Sequence, residues 1–389
     1  MKIPVSSVVT PLAAACLLCS VSPAFATNGD LRIGLNAIEN GMGGAVIAAP
    51  ESATTLFHNP AGLQSVGVKR MRMDMGLGFL NPPREVNGVK SDSNLFFMPA
   101  GAVAFRKSSR VVMGLGFSGI AGFGMDLPDA LPAAPGNQAF VTTRELFRAS
   151  PAFSIRLNKA LALGVTIDLY NQSLALSTPA FTLPQNRQFG FGASIGAIWT
   201  PNDHWHFGVS YNSEGDIAEH HFNTADGKFK LDMNHPAIFS LGAAYDVNPD
   251  LKIEGKIEQV FFSQVRDKVT LTKPAGFTGP VPPSLNFGWS NQTIFAIGLR
   301  KNMGKKMTLR AGLNWAKTPI DPEDVNSNLG SAAVTESHIS FALSRHISDH
   351  MATNVAYTRA LENSVDSSTS PNTMKMYQNV LNFNLTFKF

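Results

Sequence analysis

The C-terminal stretch of the chain decides its fold class, and it reads YQNVLNFNLTFKF from Tyr377 to Phe389. Counting back from Phe389, apolar or aromatic residues alternate with polar ones, and only Asn379 and Val380 are out of step. Side chains of a β-strand point alternately to its two faces, so the stretch predicts a strand with one apolar and one polar face. A strand of a soluble sandwich is compatible with this pattern. A long alternating strand that closes the chain on Phe is more typical of a transmembrane β-barrel, whose apolar face meets lipid.

The beginning of the chain predicts export. Lys2 supplies a positive charge, a short apolar segment follows, and residues 23–26 end in an A-x-A cleavage pattern. We therefore expect residues 1–26 to be a signal peptide that is cleaved before Thr27. Both cysteines, Cys16 and Cys19, are then discarded, and the mature protein has neither disulfide nor thiol chemistry. A lipoprotein leader is the alternative, but the residues before each cysteine fit its cleavage pattern poorly.

The composition favours a barrel wall over a soluble domain. Charged residues make up 15% of the chain, against about 25% in ordinary soluble domains. Mean hydropathy is nevertheless close to zero, and no later stretch reaches the roughly 18 apolar residues of a spanning helix. The net charge of +4 gives no indication of a nucleic-acid partner.

About fourteen alternating segments follow residue 65. In the first, Met73 and Leu77 are predicted to face lipid, while Arg72 and Asp74 face the lumen. The segments lie near residues 70–79, 95–106, 110–120, 145–157, 160–175, 187–200, 204–212, 236–247, 251–263, 289–300, 306–316, 336–347, 350–361 and 375–389. Each approaches the roughly 9–11 residues that a tilted strand needs to cross a bilayer.

The connections between these segments alternate in length. Short turns such as 158–159 and 348–349 alternate with long loops such as 121–144 and 213–235. Outer-membrane barrels have short periplasmic turns and long extracellular loops. The sequence therefore predicts an all-β protein: a transmembrane antiparallel β-barrel of about fourteen strands in the bacterial outer membrane. We expect it to be a monomer that contacts lipid and lipopolysaccharide.

Residues 27–65 do not follow the strand pattern. They are rich in Gly and Ala and contain short helix-compatible runs. Because they precede the first strand, we expect them at the periplasmic mouth or inside the lumen, which is wide enough in such a barrel to hold a plug. The predicted organisation is thus a hatch over residues 27–65 and a barrel over residues 66–389.

The hatch segment resembles a known family. GMGGA at residues 41–45 and ESATTLFHNPAGL at residues 51–63 are similar to the N-terminal hatch of the FadL-type transporters. That family carries long-chain fatty acids and aromatic hydrocarbons across the outer membrane. The most specific part is the motif formed by Asn59, Pro60, Ala61 and Gly62. Two later runs, PAIFSLGAAY at residues 236–245 and RAGLNW at residues 310–315, also resemble the family.

The resemblance implies a passive mechanism without a cofactor. A hydrophobic molecule reaches a pocket inside the barrel, the hatch changes conformation, and the ligand leaves through a gap made by a kinked third strand. Here the kink would fall at Gly119, Gly122 and Gly124; the alternative is that these glycines only begin an extracellular loop. Asp30 and Arg32 depart from the family pattern near the mature N-terminus, where the family builds part of its ligand pocket.

Four charged residues at spacing two stand out in the ninth segment. Lys252, Glu254, Lys256 and Glu258 must all face the lumen, because a charge on the lipid face costs roughly 2–4 kcal/mol at mid-membrane. One interpretation is a paired network that supports the barrel or hatch. The other is that Lys252 or Lys256 meets the carboxylate of a ligand. Arg310, inward on its own strand, is a similar candidate.

The remaining motifs do not indicate an active site, a nucleotide-binding site or a metal site. GASIG at residues 192–196 matches a nucleophile elbow and residues 114–119 match G-x-G-x-x-G, but neither has the helix that its motif requires. The histidines at 204, 206, 220 and 221 lack further ligands at zinc spacing, so we expect no metal and no catalytic residue. The four tryptophans, at positions 199, 205, 289 and 315, are interpreted as two aromatic girdles.

The leading functional hypothesis is passive transport of hydrophobic molecules, fatty acids first and aromatic hydrocarbons second. A general diffusion porin is a further alternative, although the hatch argues against it. An outer-membrane lipid hydrolase is another, but it requires a Ser and His pair near the membrane rim that the sequence does not present.

Overall fold

The computed structural model describes residues 28–128, 140–177, 182–277 and 284–389. The predicted signal peptide and its cleavage site therefore lie outside the described residues. No helix among them is long and apolar enough to cross a membrane.

Fourteen antiparallel strands within the described residues form a closed barrel, as the sequence predicts. Each pairs with its neighbours in chain order, and the last pairs with the first, with Met73 opposite Phe387. The strands are β1 (Met71–Asn81), β2 (Phe96–Arg106), β3 (Val111–Leu127), β4 (Phe140–Arg156), β5 (Leu161–Ser177), β6 (Thr182–Trp199), β7 (Trp205–Asn212), β8 (Ile238–Asn248), β9 (Leu251–Val260), β10 (Gln292–Met303), β11 (Met307–Trp315), β12 (Ser337–Ser348), β13 (Met351–Asp366) and β14 (Thr373–Lys388).

Burial alternates along the strands with the predicted period of two. On β1, Arg72 and Asp74 are buried in the lumen, whereas Met75 and Leu77 are exposed on the outer wall. Val380 breaks the C-terminal alternation for a local reason. It faces inward at a level where the lumen is apolar, and it packs against three other buried apolar side chains: Leu80, Phe96 and Met98.

The prediction for Trp289 is wrong. Trp199, Trp205 and Trp315 are exposed on the outer wall, but Trp289 is 2% exposed. It precedes β10 and lies under a loop, where its indole Nε1 donates to Asn328 Oδ1 at 2.6 Å and its ring meets the edge of Phe262. A tryptophan near a strand end thus need not lie on the outer wall, because a loop can cover it.

The long connections contain structure that the alternation did not predict. One connection contains a short helix at Ser263–Arg266 and another a 3₁₀ helix at Pro322–Ser327. The N-terminal segment, before β1, contains the first short helix, α1 (Ala37–Gly41), and 3₁₀ helices at Ala53–Phe57 and Pro60–Gln64, so the helix at Ser263–Arg266 is α2. Short strands occupy Arg84–Val86, Val89–Lys90, Asp216–Ile217, His220–Thr224, Gly227–Leu231, Lys268–Thr272 and Ser284–Asn286. Four of these form a separate sheet outside the barrel, over a buried apolar cluster that includes Phe222, Phe229 and Leu271. These short strands have too few residues for an alternating pattern to be recognised in the sequence.

Candidate functional site: a lumenal pocket beside β3

The N-terminal segment fills the lumen of the barrel. Every residue from 28 to 50 is buried, as are most residues up to 68. Helix α1 begins where the Asn36 side chain accepts the N–H groups of Ile38 and Glu39, a standard helix N-cap. The described part of the predicted hatch is therefore folded and enclosed, and the wall around it is the barrel itself.

The hatch motif fastens this segment both to itself and to the wall. Pro60 occupies the first turn of a 3₁₀ helix, where its missing N–H costs nothing. Asn59 caps that helix by accepting the N–H of Ala61 at 3.2 Å. The same amide donates to Ile47 O at 2.9 Å and to Ala197 O on β6 at 3.1 Å. A single asparagine thus joins two parts of the hatch to a barrel strand.

Inward-facing glycines on the strands provide the space for the hatch backbone. A Cβ added at Gly208 on β7 would lie 2.2 Å from Ile47 O, and one at Gly312 on β11 would lie 2.1 Å from Gly43 N. Gly196, part of the rejected elbow motif, serves the same purpose, because a Cβ there would lie 2.0 Å from Asn59 Oδ1. These glycines allow a close approach of two backbones, which any side chain would prevent.

Replacing one of these glycines is expected to loosen the hatch. Gly208→Ala forces a methyl group against the Ile47 carbonyl, and overpacking of this kind costs roughly 1–3 kcal/mol. We expect higher conductance of the purified barrel in planar bilayers. Gly255→Ala is the matched control, since the Cβ there has no neighbour closer than 4.0 Å. Equal conductance of the two variants would show that hatch seating does not depend on this contact.

The four predicted charges of β9 have three different sets of partners. Glu254 is buried and accepts the N–H groups of Ala48 and Ala49 in the hatch, at 2.7 and 3.3 Å. Lys256 Nζ lies 3.1 Å from Glu258 Oε1, and both residues line a lumenal pocket. Lys252 pairs instead with Asp246, at 3.6 Å. Glu254 thus supports the hatch, whereas Lys256 and Glu258 face the space in which a ligand would lie.

Arg310 also holds the hatch. Its guanidinium is ion-paired with Glu51 and donates to Ser344 Oγ at 2.6 Å, while Arg300 lies 3.0 Å from the other oxygen of Glu51. Burial works to raise the pKa of Glu51, but Arg310 and then Arg300 outweigh it and lower the pKa to about 2. The carboxylate therefore stays charged throughout the ordinary pH range.

The lowered pKa predicts how hatch docking depends on pH. In the docked state the neighbouring arginines hold the pKa of Glu51 at about 2, below its ordinary value of 4.5. A depressed pKa stabilises the docked state by about 3 kcal/mol above pH 4.5, and this contribution is lost as the pH falls toward 2. We expect the barrel to stay closed at pH 5–7 and to leak in strong acid. Glu51→Gln should leak at every pH, because it leaves the buried Arg310 and the half-buried Arg300 without their carboxylate.

A surface pair provides the control for this experiment. Glu362 pairs with Lys375 at 3.2 Å, and its side chain is 49% exposed. Glu362→Gln should therefore behave like the unchanged protein in a conductance series from pH 7 to pH 3. If Glu51→Gln has the same low conductance as this control at every pH, the ion pairs of Glu51 with Arg300 and Arg310 do not hold the hatch.

Two cavities lie on the two sides of the hatch. A polar one of about 580 Å³ is lined by Glu51, Arg72, Arg310 and Lys388, toward the short turns. The other is a pocket of about 60 Å³ between the N-terminal segment and the wall. Its apolar lining consists of Leu31, Ile33, Leu35, Phe57, Ile120, Ile238 and Ile294. Its polar lining includes Arg148, Lys256 and Glu258, so the pocket suits a molecule with an apolar body and a polar or acidic end.

The wall beside this pocket is irregular at the predicted position. The β3–β4 register shifts between Gly119 and Ala121, which leaves Ile120 as an extra residue, and Ile120 lines the pocket. Gly122 has φ 157°, a value that favours glycine. Gly122 and Gly124 lie inside β3 rather than at the start of a loop, because β3 continues to Leu127.

The N-terminal segment covers the inner side of this bulge. Leu31 pairs with Ala121 as an isolated antiparallel bridge, and Gly122 N donates to Asp30 O at 3.0 Å. Arg32 Nη1 donates to Gly119 O at 2.9 Å. On the outer face, Phe117 and Phe147 stack with ring centroids 5.4 Å apart. A ligand that crosses the wall here would leave the pocket and meet an apolar outer surface.

Sequence reasoning did not find most of the pocket. Arg148 is the main polar residue that was missed, and it pairs with Asp168 at 2.7 Å across β4 and β5. Its inward position follows from the alternation of β4, but alternation alone cannot say which inward residues surround a cavity. The apolar pocket residues of the N-terminal segment could not be identified from the sequence, because that segment has no periodic pattern of apolar residues.

Comparison with known proteins agrees with this architecture. A family model described as "Outer membrane protein transport protein (OMPP1/FadL/TodX)" matches residues 36–380. No curated protein matches the chain in sequence.

Several solved structures are similar to it. The Pseudomonas putida toluene transporter TodX has a TM-score of 0.77 at 17% identity, with 93% of this chain and 100% of that one covered. A Pseudomonas aeruginosa FadL homologue has a TM-score of 0.75 at 14% identity, covering 93% and 100%. The Ralstonia pickettii toluene transporter TbuX has a TM-score of 0.73 at 16% identity, covering 91% and 98%. At these identities the similarity shows a shared fold.

Proposed function

Because the chain belongs to the outer-membrane transport protein family OMPP1/FadL/TodX, whose members transport hydrophobic molecules, we propose that it carries long-chain fatty acids. The ligand diffuses passively through the plugged barrel and leaves sideways beside β3. The observation that carries this proposal is the lumenal pocket, where apolar side chains stand next to Arg148 and Lys256 and next to the bulge at Ile120. A fatty acid has the matching chemistry, an apolar chain and one carboxylate.

The physical argument for sideways exit rests on solvation. A water-filled pore offers an apolar solute no favourable path, whereas an apolar pocket that opens into lipid does. The pocket measures about 60 Å³, which is smaller than the roughly 150 Å³ cavity that holds benzene in another protein. Transport therefore requires the N-terminal segment to move away from Ala121 and Gly122.

Aromatic hydrocarbons are the second candidate substrate. Two of the similar structures are toluene transporters, and the pocket includes the ring of Phe57. The basic side chains in the pocket favour a carboxylate instead, because a charge-assisted hydrogen bond to a carboxylate is stronger than the contact of a cation with an aromatic ring.

Uptake measurements separate these candidates. Cells with and without the protein are given labelled oleate and labelled toluene, and the protein-dependent uptake of each is measured. Oleate uptake supports the proposal, toluene uptake alone supports the second candidate, and uptake of neither contradicts both. We also propose that residues 1–26 are removed on export, which mass spectrometry of the mature protein tests through an N-terminus at Thr27.

A further inference from the structure

The polar cavity on the side of the short turns is strongly basic. It measures about 580 Å³ and lies between the hatch and the wall. Arg and Lys side chains from six different strands line it: Arg72, Arg156, Lys252, Arg300, Arg310 and Lys388. Among the described residues that line it, Glu51 is the only one with a carboxylate. We call this cavity the basic vestibule.

Like charges face each other directly across neighbouring strands of the vestibule. Arg300 on β10 lies opposite Lys252 on β9 and opposite Arg310 on β11. At the closure of the barrel, Arg72 on β1 lies opposite Lys388 on β14. Like charges at directly opposite positions destabilise a sheet. Two such sets around one cavity indicate that the wall is built to attract an anion.

Carboxylates neutralise part of this charge. Three carboxylates pair with four of the six cations, and the pairs are Arg300–Glu51, Arg310–Glu51, Arg72–Asp74 and Lys252–Asp246. Within the described part of the chain, Arg156 and Lys388 have no carboxylate partner, and Arg156 donates to the backbone oxygen of Gln64 at 3.2 Å. The Arg and Lys side chains of the vestibule therefore outnumber their carboxylates by three.

Arg300 has donor capacity that its ion pair does not use. Its Nη1 lies 3.0 Å from Glu51 Oε1, but its buried Nε has no hydrogen-bond partner among the described residues. A buried polar donor without an acceptor costs free energy. Guanidinium and ammonium groups form strong charge-assisted hydrogen bonds with phosphate and carboxylate oxygens. The vestibule thus suits an oxyanion with several acceptor oxygens.

The vestibule has room for such an anion and is open to solution. A water molecule takes up about 30 Å³ of the liquid, so the cavity holds a small oxyanion together with part of its hydration shell. Ser65, Gly67 and Arg156 line the cavity and are exposed, so solutes reach it from the side of the short turns. The strands separate it from lipid, so the anion comes from solution and not from a lipid headgroup.

We propose that the basic vestibule binds a small multivalent oxyanion, a phosphate or a polycarboxylate, from the periplasm. The hatch contributes Gln64 and Ser65 to the vestibule, and the wall contributes Arg156 and Lys388. An anion that contacts both parts binds the docked hatch more tightly than a displaced one, so it stabilises docking by mass action. Because Arg156 and Lys388 have no carboxylate to release, the anion does not have to displace Glu51. This site is independent of which hydrophobic molecule the barrel transports.

Calorimetry of the full mature protein in detergent at pH 7 tests the binding. Sodium phosphate and sodium citrate are titrated at constant ionic strength, because salt screens exposed charges, and chloride is the monovalent reference. We expect phosphate, citrate or both to bind with a dissociation constant on the order of 1 mM or below, and chloride to give no saturable heat. If neither oxyanion binds saturably, the proposal is wrong, whatever the uptake of oleate or toluene.

Charge variants locate the site. The double variant Arg156→Gln, Lys388→Gln should bind the oxyanion at least about tenfold more weakly, because two unpaired cations are lost. Lys159→Gln, Lys305→Gln is the matched control, since it removes the same charge from exposed positions in two short turns. Heat-modifiable migration checks that both variants assemble. An equal loss of affinity in the two variants would mean that net charge attracts the anion, and would overturn the assignment to the vestibule.

A cysteine label gives an independent test without any change in charge. Cys16 and Cys19 precede Thr27, so Ser65→Cys places a single thiol in the mature protein. Ser65 lines the vestibule, whereas the exposed Ser109 lies in a short turn outside it and provides the control variant Ser109→Cys. An oxyanion at ten times its dissociation constant should slow maleimide labelling at position 65 by about tenfold and leave position 109 unchanged. An unchanged rate at position 65 would contradict occupancy of the vestibule, and a faster rate would show that the anion releases the hatch.

Discussion

Cells whose barrel lacks residues 27–62 are expected to admit small hydrophilic solutes. This segment separates the 580 Å³ cavity on the side of the short turns from the pocket beneath the loops. The wall that it leaves behind is polar inside, with Asn354, Asn384 and Thr386 facing the lumen. Water would fill such a lumen, as it does in larger barrels. Sensitivity to hydrophilic antibiotics should rise from the level of cells without the protein to that of cells with an open porin.

The barrel itself should still assemble without the segment. Its strands are joined to each other by a complete ring of pairings, closed between β1 and β14. Heat-modifiable migration of the deletion variant in the outer-membrane fraction checks this, and the Gly255→Ala barrel is the control for expression. An assembled deletion variant with unchanged antibiotic sensitivity would mean that the loops, and not the hatch, close the pore.

The strand pattern was predictable because lipid imposes one rule on every residue of the wall. A charge toward lipid is costly, so the directions of Arg72, Asp74 and the β9 charges follow from position alone. The rule weakens where the barrel extends beyond the membrane. There Val380 turns inward, Trp289 is covered, and β3 continues to Leu127, past the predicted end near residue 120.

The pocket was not predictable in the same way. Asp30 and Arg144 are 114 positions apart, and Glu51 and Arg310 are 259 apart. Nothing in the alternation of one strand specifies which residues meet across the lumen. The small residues of the motif around Asn59 indicated close packing, but its partner Ala197 depends on how the hatch is placed inside the closed barrel. The local pattern determines to which face of the wall a side chain points. Which residues it contacts across the lumen is determined only by the closed barrel.

Replacing Gly119 and Gly122 by Val is expected to reduce protein-dependent oleate uptake to nearly zero. The β3–β4 register shifts directly after Gly119, and Gly122 has φ 157°. A β-branched residue disfavours that backbone conformation and favours a regular strand. Regular pairing removes the extra residue at Ile120 and closes the wall beside the pocket. The lumen keeps its hatch, so antibiotic sensitivity should stay low.

Gly255→Val is the matched control for this pair of changes. Gly255 lies on β9 with no atom closer than 4.0 Å to an added Cβ, so the same substitution tests strand tolerance away from the bulge. Uptake of oleate should be normal in this variant. A route through the lumen into the periplasm predicts no loss in the double variant either, because the lumen is unchanged. Normal oleate uptake by a correctly assembled Gly119→Val, Gly122→Val protein would therefore reject sideways exit at β3.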